Sequence, residues 1–327
     1  MLIVKKVKLL TVYCGLTILL LCAGLTFYSH QSNIVLQKND FTDEDLIKNA
    51  LFDESEKSPV QENKEIFQRV VYNRVGKCGS RSMQNIIKVL AARQGFNFYM
   101  SPVSNETRPK ILELSKEVKL ISNLQTPALY SRHIHYINFA KFGELQPVYI
   151  NMIRDPIERF SSQYHFKRYG DFISKKQRGG KHLGESEKDM NINDCILRNH
   201  SDCMGLKLWY IIPYFCGQDP ICRLPSIEGL RRAKMHVLDN YLAIGILEDF
   251  NGTLRVFEKL LPEYFAGASS IWSGIVGSES QKTSTRGKQT LSREAYEVMK
   301  ERMAFEYDFY NFVRNIYNNL KMQLNIS

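Results

Sequence analysis

Residues 66–94 run from a short apolar, β-branched stretch, IFQRVVYNRV, through GKCGS into a segment whose apolar residues recur at helical spacing. No other part of the chain restricts the fold as much. Ile66–Val75 has the character of a buried strand. In Arg81–Gln94 the residues Met83, Ile86, Ile87, Leu90 and Ala91 share one helical face, and Gly95 is placed to end the helix. A strand, a glycine loop and a helix in direct succession present backbone N–H groups at the helix N-terminus, where the dipole favours an anion. Lys77 adds a positive charge, and Ser80 and Ser82 add hydroxyl donors. The loop reads as a phosphate-binding one. Its order is not the G-x-x-x-x-G-K-[ST] of nucleoside triphosphatases, because the lysine precedes the second glycine, and no magnesium-binding carboxylate follows the neighbouring strand in an obvious motif. Taken alone, an ordinary glycine turn would also account for it.

The same logic repeats further on. Gln146–Ile153 (QPVYINMI) reads as a second buried strand, after which Asp155 can cap and Pro156 can open a helix. Strands alternating with helices predict an α/β fold, a central and mostly parallel sheet flanked by helices. Arg154 then stands at the C-terminal edge of its strand, where open sheets of this kind bind ligands. Its guanidinium suits bidentate phosphate binding, and Ser162, two helical turns along, can reach the same group. In isolation, Arg154 equally suits an ion pair closing the sheet. Ser292–Leu320 is expected to form one long, aromatic-rich helix on the sheet, and the stretch at about 171–225 a loop-rich insertion. No repeat or domain boundary is expected within 66–327.

The N-terminal region has a different character. Residues 1–8 carry three lysines, and residues 9–28 carry no charge, about the length a bilayer core requires. The lysines before this run predict a cytosolic tail and a transmembrane signal anchor that sends the rest of the chain into the lumen. A cleaved signal peptide, whose apolar region is usually shorter, would deliver the same compartment. Residues 29–65, with nine acids against four lysines and few large apolar residues, read as a luminal stem. A short helix around Glu44–Leu51 is the most order expected there.

Charge and cysteines narrow the partners. Of the formal +10, the tail contributes +3 and the stem −5, so residues 66–327 carry +12. Such a surface suits a polyanion, and in a lumen an acidic glycan is a better candidate than nucleic acid. Cys14 and Cys22 lie in the anchor, Cys78 in the glycine loop, and Cys195, Cys203, Cys216 and Cys222 form a cluster. An oxidising lumen favours disulfides, and the cluster lacks the tight pairs of structural zinc sites. Among the three connectivities, the local bridges 195–203 and 216–222 are preferred, leaving Cys78 free. Asn105, Asn199, Asn251 and Asn325 begin glycosylation tripeptides.

The segments VVYNRVGKCGSRS, SRHIHYINFAKFG, PVYINMIRDPIERF and YIIPYFCG resemble the uronyl 2-O-sulfotransferases, the branch of the glycosaminoglycan 2-O-sulfotransferases that includes the Pipe-type proteins. The resemblance runs from about residue 68 to 315. It implies a P-loop-like sulfotransferase fold behind a single-pass type II Golgi anchor, with a possible trimer. It also implies transfer of a sulfuryl group from PAPS (3′-phosphoadenosine 5′-phosphosulfate) to the 2-hydroxyl of a uronic acid in an acidic glycan. Carried over residue by residue, Lys77, Cys78, Gly79, Ser80, Arg81 and Ser82 would hold the 5′-phosphosulfate, and Arg154 with Ser162 the 3′-phosphate. Gln281-Lys282-Thr283-Ser284 would be a loop closing over the donor, Arg74 would meet the acceptor sugar, and His133 would be the general base. The related heparan enzymes carry a second histidine two residues before the base; this chain has Ser131 there, so His133 acts alone or His135 contributes. The cysteine pairs match the family's disulfides.

The implied chemistry fits these residue types. Sulfuryl transfer needs positioning and charge relief rather than covalent help, and no metal. A sugar hydroxyl needs a base, for which a histidine with an ordinary pKa near ~6.5 would suit a mildly acidic lumen. Lys77 would neutralise charge on the leaving phosphate oxygen. A luminal sugar kinase-like phosphotransferase and a non-catalytic glycan-binding protein on the same fold are the competing readings.

Overall fold

The computed structural model describes residues 68–103, 106–170 and 189–326, without the side chains of 278–283. The expected tail, anchor and stem, residues 171–188 of the expected insertion and the sequon residue Asn105 lie outside the described residues. Among those described, no helix is long and apolar enough to cross a membrane.

In chain order the elements are β1 (Arg69–Tyr72), α1 (Ser80–Gln94), β2 (Asn97–Met100), α2 (Ile111–Ser122), β3 (Ala128–Ser131), β4 (Val148–Ile153) and α3 (Pro156–Tyr169). The second half adds α4 (Ile192–Leu197), α5 (Ile211–Cys216), α6 (Ile227–Asn240), β5 (Tyr241–Ile246), α7 (Phe250–Leu260), α8 (Pro262–Phe265), α9 (Ala268–Thr283), α10 (Arg293–Arg302) and α11 (Ala304–Gln323). The five strands form one sheet in the order β2-β3-β1-β4-β5, and every pairing is parallel. Strands covered on both faces have no polar side to show. Accordingly Val70, Val71 and Tyr72 of β1 and Tyr149, Ile150, Met152 and Ile153 of β4 are all buried.

The strand order positions the site. From the central β1 the chain moves outward to β2, returns to β3 beside β1, and then crosses to β4 on β1's other side. The loops leaving β1 and β4 therefore diverge at the C-terminal edge of the sheet and open a crevice between them, the usual ligand position in such sheets.

Most expected elements are present, with different ends. The strand expected over Ile66–Val75 is shorter: Arg74 N–H turns back onto Tyr72 O at 2.9 Å, which ends the ladder and starts the loop. Gly95 closes α1 as expected, its N–H on Ala91 O at 3.0 Å. At α3, Asp155 accepts from Glu158 N–H and Pro156 occupies the first turn, as expected. The single helix expected over Ser292–Leu320 is two helices that break at Met303. The break lets two buried faces point differently. Ala295, Met299 and Met303 join Ile157, Phe160 and Tyr164 of α3 and the Cys195–Cys203 region in one core cluster, whereas Phe309, Phe312 and Val313 of α11 are buried in the helical layer beside β5.

Cys195 bridges Cys203, and Cys216 bridges Cys222. Cys78 is buried and unbridged. All three statements agree with the sequence reading.

Candidate active site

The β1–α1 loop is held open by backbone conformations that few residues adopt. Lys77 has φ 66° and Gly79 φ 73°, both left-handed. For a lysine this costs on the order of 1 kcal/mol, a strain that proteins retain mainly at functional sites. The glycines also admit close neighbours. A Cβ on Gly76 would lie 2.5 Å from the Tyr210 hydroxyl, and one on Gly79 would lie 2.5 Å from Leu247 Cδ1. No side chain caps α1, so its first turn presents N–H groups as an anion site does.

A buried polar network fixes the foot of this loop. Asn151 Nδ2 of β4 donates to Asn73 O and Oδ1, each at 2.8 Å. Asn73 Nδ2 in turn donates to Tyr214 O and to the Tyr241 hydroxyl. These bonds tie the end of β1 to β4, β5 and α5, so the loop cannot drift from the second half of the site.

Above the loop lies a cleft of about 820 Å³. It gathers Arg74, Lys77, Gly79, Ser80, Arg81, Ser82, His133, Arg154, Ser162 and Ser284 from stretches far apart in sequence. Cys78 behaves differently. Its side chain is fully buried beneath the loop, with Sγ 3.7 Å from Gly76 O, and burial pushes the thiol up to about 12. It can offer a ligand its backbone but not its thiol.

Arg154 leaves β4 into the cleft and does double duty. It donates to Glu158 Oε2 at 3.0 Å and approaches Glu248 at 3.9 Å, and Lys288 Nζ donates to the same Glu158 oxygen at 2.6 Å. Burial raises the Glu158 carboxyl, but Lys288 and Arg154 outweigh it and hold the group below the usual carboxylate range. The ion pair that Arg154 suits is thus present, and the same side chain lines the cleft. Ser162 Oγ lies 3.1 Å from Thr285 Oγ1, joining α3 to the segment after α9. That segment departs from expectation. Gln281, Lys282 and Thr283 end a helix instead of forming a loop, and Ser284 and Thr285, which follow it, line the cleft. The stretch has no apolar periodicity to mark a helix, and the side chains of Lys282 and Thr283 lie outside the described residues.

His133 lines the same cleft. Its Nδ1 is 2.8 Å from Arg74 O. A carbonyl can only accept, so Nδ1 carries the hydrogen and Nε2 keeps the lone pair. Burial, then the Arg74 guanidinium, push the imidazole down to about 4, well below the ordinary value assumed from sequence. His135 does not share the site. It is 5% exposed, packs at 5.0 Å from the Tyr214 ring, and is pushed down to about 3, chiefly by burial.

Sequence reasoning did not single out the cleft's aromatic walls. Lys77 Nζ sits 3.9 Å above the Phe166 ring, with the Arg81 guanidinium 5.4 Å from the same ring. Phe250 and Trp272 meet edge to face at 4.6 Å along another wall. Tyr210 stacks on the buried Arg159 at 4.0 Å, while the fully buried Glu306 accepts from the N–H groups of Tyr210, Ile211 and Ile212 and so caps α5. Tyr210 and Tyr214 stand in the quoted YIIPYFCG segment, but their part in the site is set by partners roughly 50–150 residues away in sequence. Lys288 and Thr285 carried no motif at all. Among the described residues no group of three or more His, Cys, Asp or Glu is disposed to hold a metal ion.

Comparison with known proteins agrees with this arrangement. Residues 66–313 match the family model described as "Sulfotransferase family". Uronyl 2-sulfotransferase of Mus musculus is 38% identical over 320 residues, covering 96% of this chain and 77% of that protein. The Homo sapiens uronyl 2-sulfotransferase is 41% identical over 261 residues, covering 79% and 64% respectively. Heparan sulfate 2-O-sulfotransferase 1 of Cricetulus griseus is 31% identical over 250 residues, covering 74% and 68%. The glycine loop before α1, the arginine at the end of β4 and these matches lead to one assignment: the chain belongs to the sulfotransferase family and is an enzyme homologous to the uronyl 2-sulfotransferases.

Proposed function

We propose that the protein transfers the sulfuryl group of PAPS to the 2-hydroxyl of a uronic acid residue in a glycosaminoglycan-type glycan, with His133 as the general base. One observation carries this reading: a histidine with a fixed Nδ1–H and an available Nε2 lone pair shares a single cleft with an uncapped helix N-terminus and five arginine and lysine side chains. The acceptor class follows that of the relatives, two of which are uronyl 2-sulfotransferases.

In this reading the N–H groups of the α1 first turn, with Lys77, Ser80 and Ser82, hold the 5′-phosphosulfate. Arg154, Ser162 and Ser284 hold the 3′-phosphate, and Lys282 and Thr283 contribute from the end of α9. Tyr210 and Leu247, drawn close by the two glycines, wall the loop. His133 Nε2 takes the proton of the acceptor hydroxyl as its oxygen bonds to sulfur. The bond from sulfur to the bridging phosphate oxygen breaks, and its electron pair leaves on that oxygen, where Lys77 offsets the charge. A neutral imidazole is the form that can accept the proton, and the depressed His133 pKa keeps it neutral. Arg74, on the carbonyl side of His133, meets the acceptor sugar.

The compartment belongs to the same proposal. Two disulfides in one domain suit an oxidising lumen, and the apolar run 9–28 behind three lysines suits a type II Golgi anchor. The test is transfer of labelled sulfate from PAPS to a panel of desulfated chondroitin, dermatan and heparan chains, with position mapping of the product. Labelled 2-O-sulfated uronate from the wild-type protein and none from His133→Ala is the expected result. Label on hexosamine, or undiminished transfer by His133→Ala, would overturn the reading.

A further inference from the structure

Arg74 is held by one edge only. Its Nη1 donates to Gln84 Oε1 at 2.6 Å, while its Nε is buried and without a hydrogen-bond partner. Gln84 is itself buried on the inner side of α1, 8% exposed, and its amide Nε2 donates to Ser131 Oγ at 3.3 Å. The orientation of that amide is dictated by its neighbours. A guanidinium can only donate, so Oε1 must face Arg74, which leaves the NH₂ for the serine hydroxyl. Ser131, fully buried at the end of β3, anchors the whole relay to the sheet. A buried donor without a partner costs more than a made bond returns. The unpartnered Nε edge of a cleft-lining arginine is thus a position where an acceptor atom of a ligand belongs.

We infer that Gln84 is a positioning residue that sets the acceptor specificity of the cleft: by tying one edge of the Arg74 guanidinium it presents the Nε edge to a carboxylate on the sugar that receives the sulfuryl group. This rests on the proposed uronate acceptor and gives it a physical cause. The Nε–Nη2 edge of a guanidinium matches the two oxygens of a carboxylate, and the match needs the plane of the fork to be fixed. Gln84 does the fixing without touching substrate. Because Arg74 O also holds His133 Nδ1, the residue that would bind the carboxylate is the residue that orients the base. A carboxylate seated on Arg74 therefore registers the sugar against His133, and a neutral sugar lacks that register.

The test compares native acceptor with its carboxyl-reduced counterpart, in which the uronate is converted to the neutral hexose, for wild type, Gln84→Met, Arg74→Met and the double variant. Wild type is expected to prefer the uronate at least tenfold in kcat/KM. Gln84→Met should raise the acceptor KM five- to twentyfold for the uronate, leave the neutral acceptor within about twofold, and leave the affinity for 3′-phosphoadenosine 5′-phosphate unchanged. On the Arg74→Met background the Gln84 change should add nothing. A merely structural role would depress both acceptors equally, or would weaken donor binding and thermal stability with them, and either result overturns the inference. So does an additive double variant. Gln84→Glu, which keeps an acceptor for Arg74, should retain more of the preference than Gln84→Met; if it loses as much, Gln84 does not act through Arg74. Failure of wild type to sulfate any uronate glycan is a separate outcome, one that removes the proposed function itself.

Discussion

Acidification should leave His133, the proposed base, almost entirely neutral. His133 is pushed down to about 4 by burial and then by the Arg74 guanidinium, whereas a solvated imidazole titrates near ~6.5. At pH ~5.5 about 97% of a base with the depressed value is neutral, against about 9% of an ordinary one. Between pH ~7 and ~5.5 the ordinary histidine would cost the reaction about eightfold in rate, and His133 only a few per cent. The direct assay is NMR titration of the imidazole in the unliganded protein, with His133→Ala identifying the resonance, beside kcat/KM over the same pH range. Arg74→Met should move the midpoint upward but short of the ordinary value, because burial is the larger cause and remains. The same shift acts on stability. The unfolded chain takes up the proton first as pH falls, so stability is lost between ~6.5 and about 4 and levels off below, by up to about 3 kcal/mol. A resonance titrating between 6 and 7, with activity following it, would refute the burial argument.

Three other outcomes are expected. Lys77→Ala should lower turnover at saturating donor at least about 10²-fold while thermal stability holds or falls only slightly, since alanine loses the Phe166 contact and keeps the left-handed backbone; near-normal turnover would detach the loop from the chemistry. Arg154→Ala should weaken calorimetric binding of 3′-phosphoadenosine 5′-phosphate by roughly 1.5–3 kcal/mol without changing the acceptor KM, and unchanged donor affinity would return Arg154 to a purely structural ion pair with Glu158. His135→Ala should lower the melting temperature, because it empties a buried position beside Tyr214, with donor affinity unchanged; loss of turnover with normal stability would mean that the base has been misassigned.

How much of this was legible in the sequence depends on how local the cause is. The β1–α1 unit, the Asp155 cap with Pro156, the Gly95 stop and both disulfides are decided within a few residues, and each was readable from spacing or side-chain type. The break at Met303 was not, because Ser292–Leu320 keeps helical periodicity throughout; only the core cluster around Cys195 and the layer beside β5 pull its two halves in different directions. The aromatic walls were equally silent. Phe166, Phe250 and Trp272 look like ordinary core residues until the sheet order brings α3, α7 and α9 to the same edge.

The proposed base shows why residue types alone could mark this site but not tune it. A histidine after β3 is visible in sequence, and so is an arginine after β1. Their relation is not, since the bond from His133 Nδ1 goes to a main-chain carbonyl 59 residues earlier, an atom every residue possesses. That carbonyl is available because Arg74 lies just beyond the last ladder position of β1, where Arg74 N–H has already turned back onto Tyr72 O. The parallel pairing of Tyr72 with Ser131 then sets the two strand ends level, so the residue two beyond each end can meet the other. Sheet register, not side-chain identity, thus fixes the tautomer of the base. A single-residue slip between β1 and β3 would leave every side chain of the proposed site in the sequence and remove the bond that orients His133.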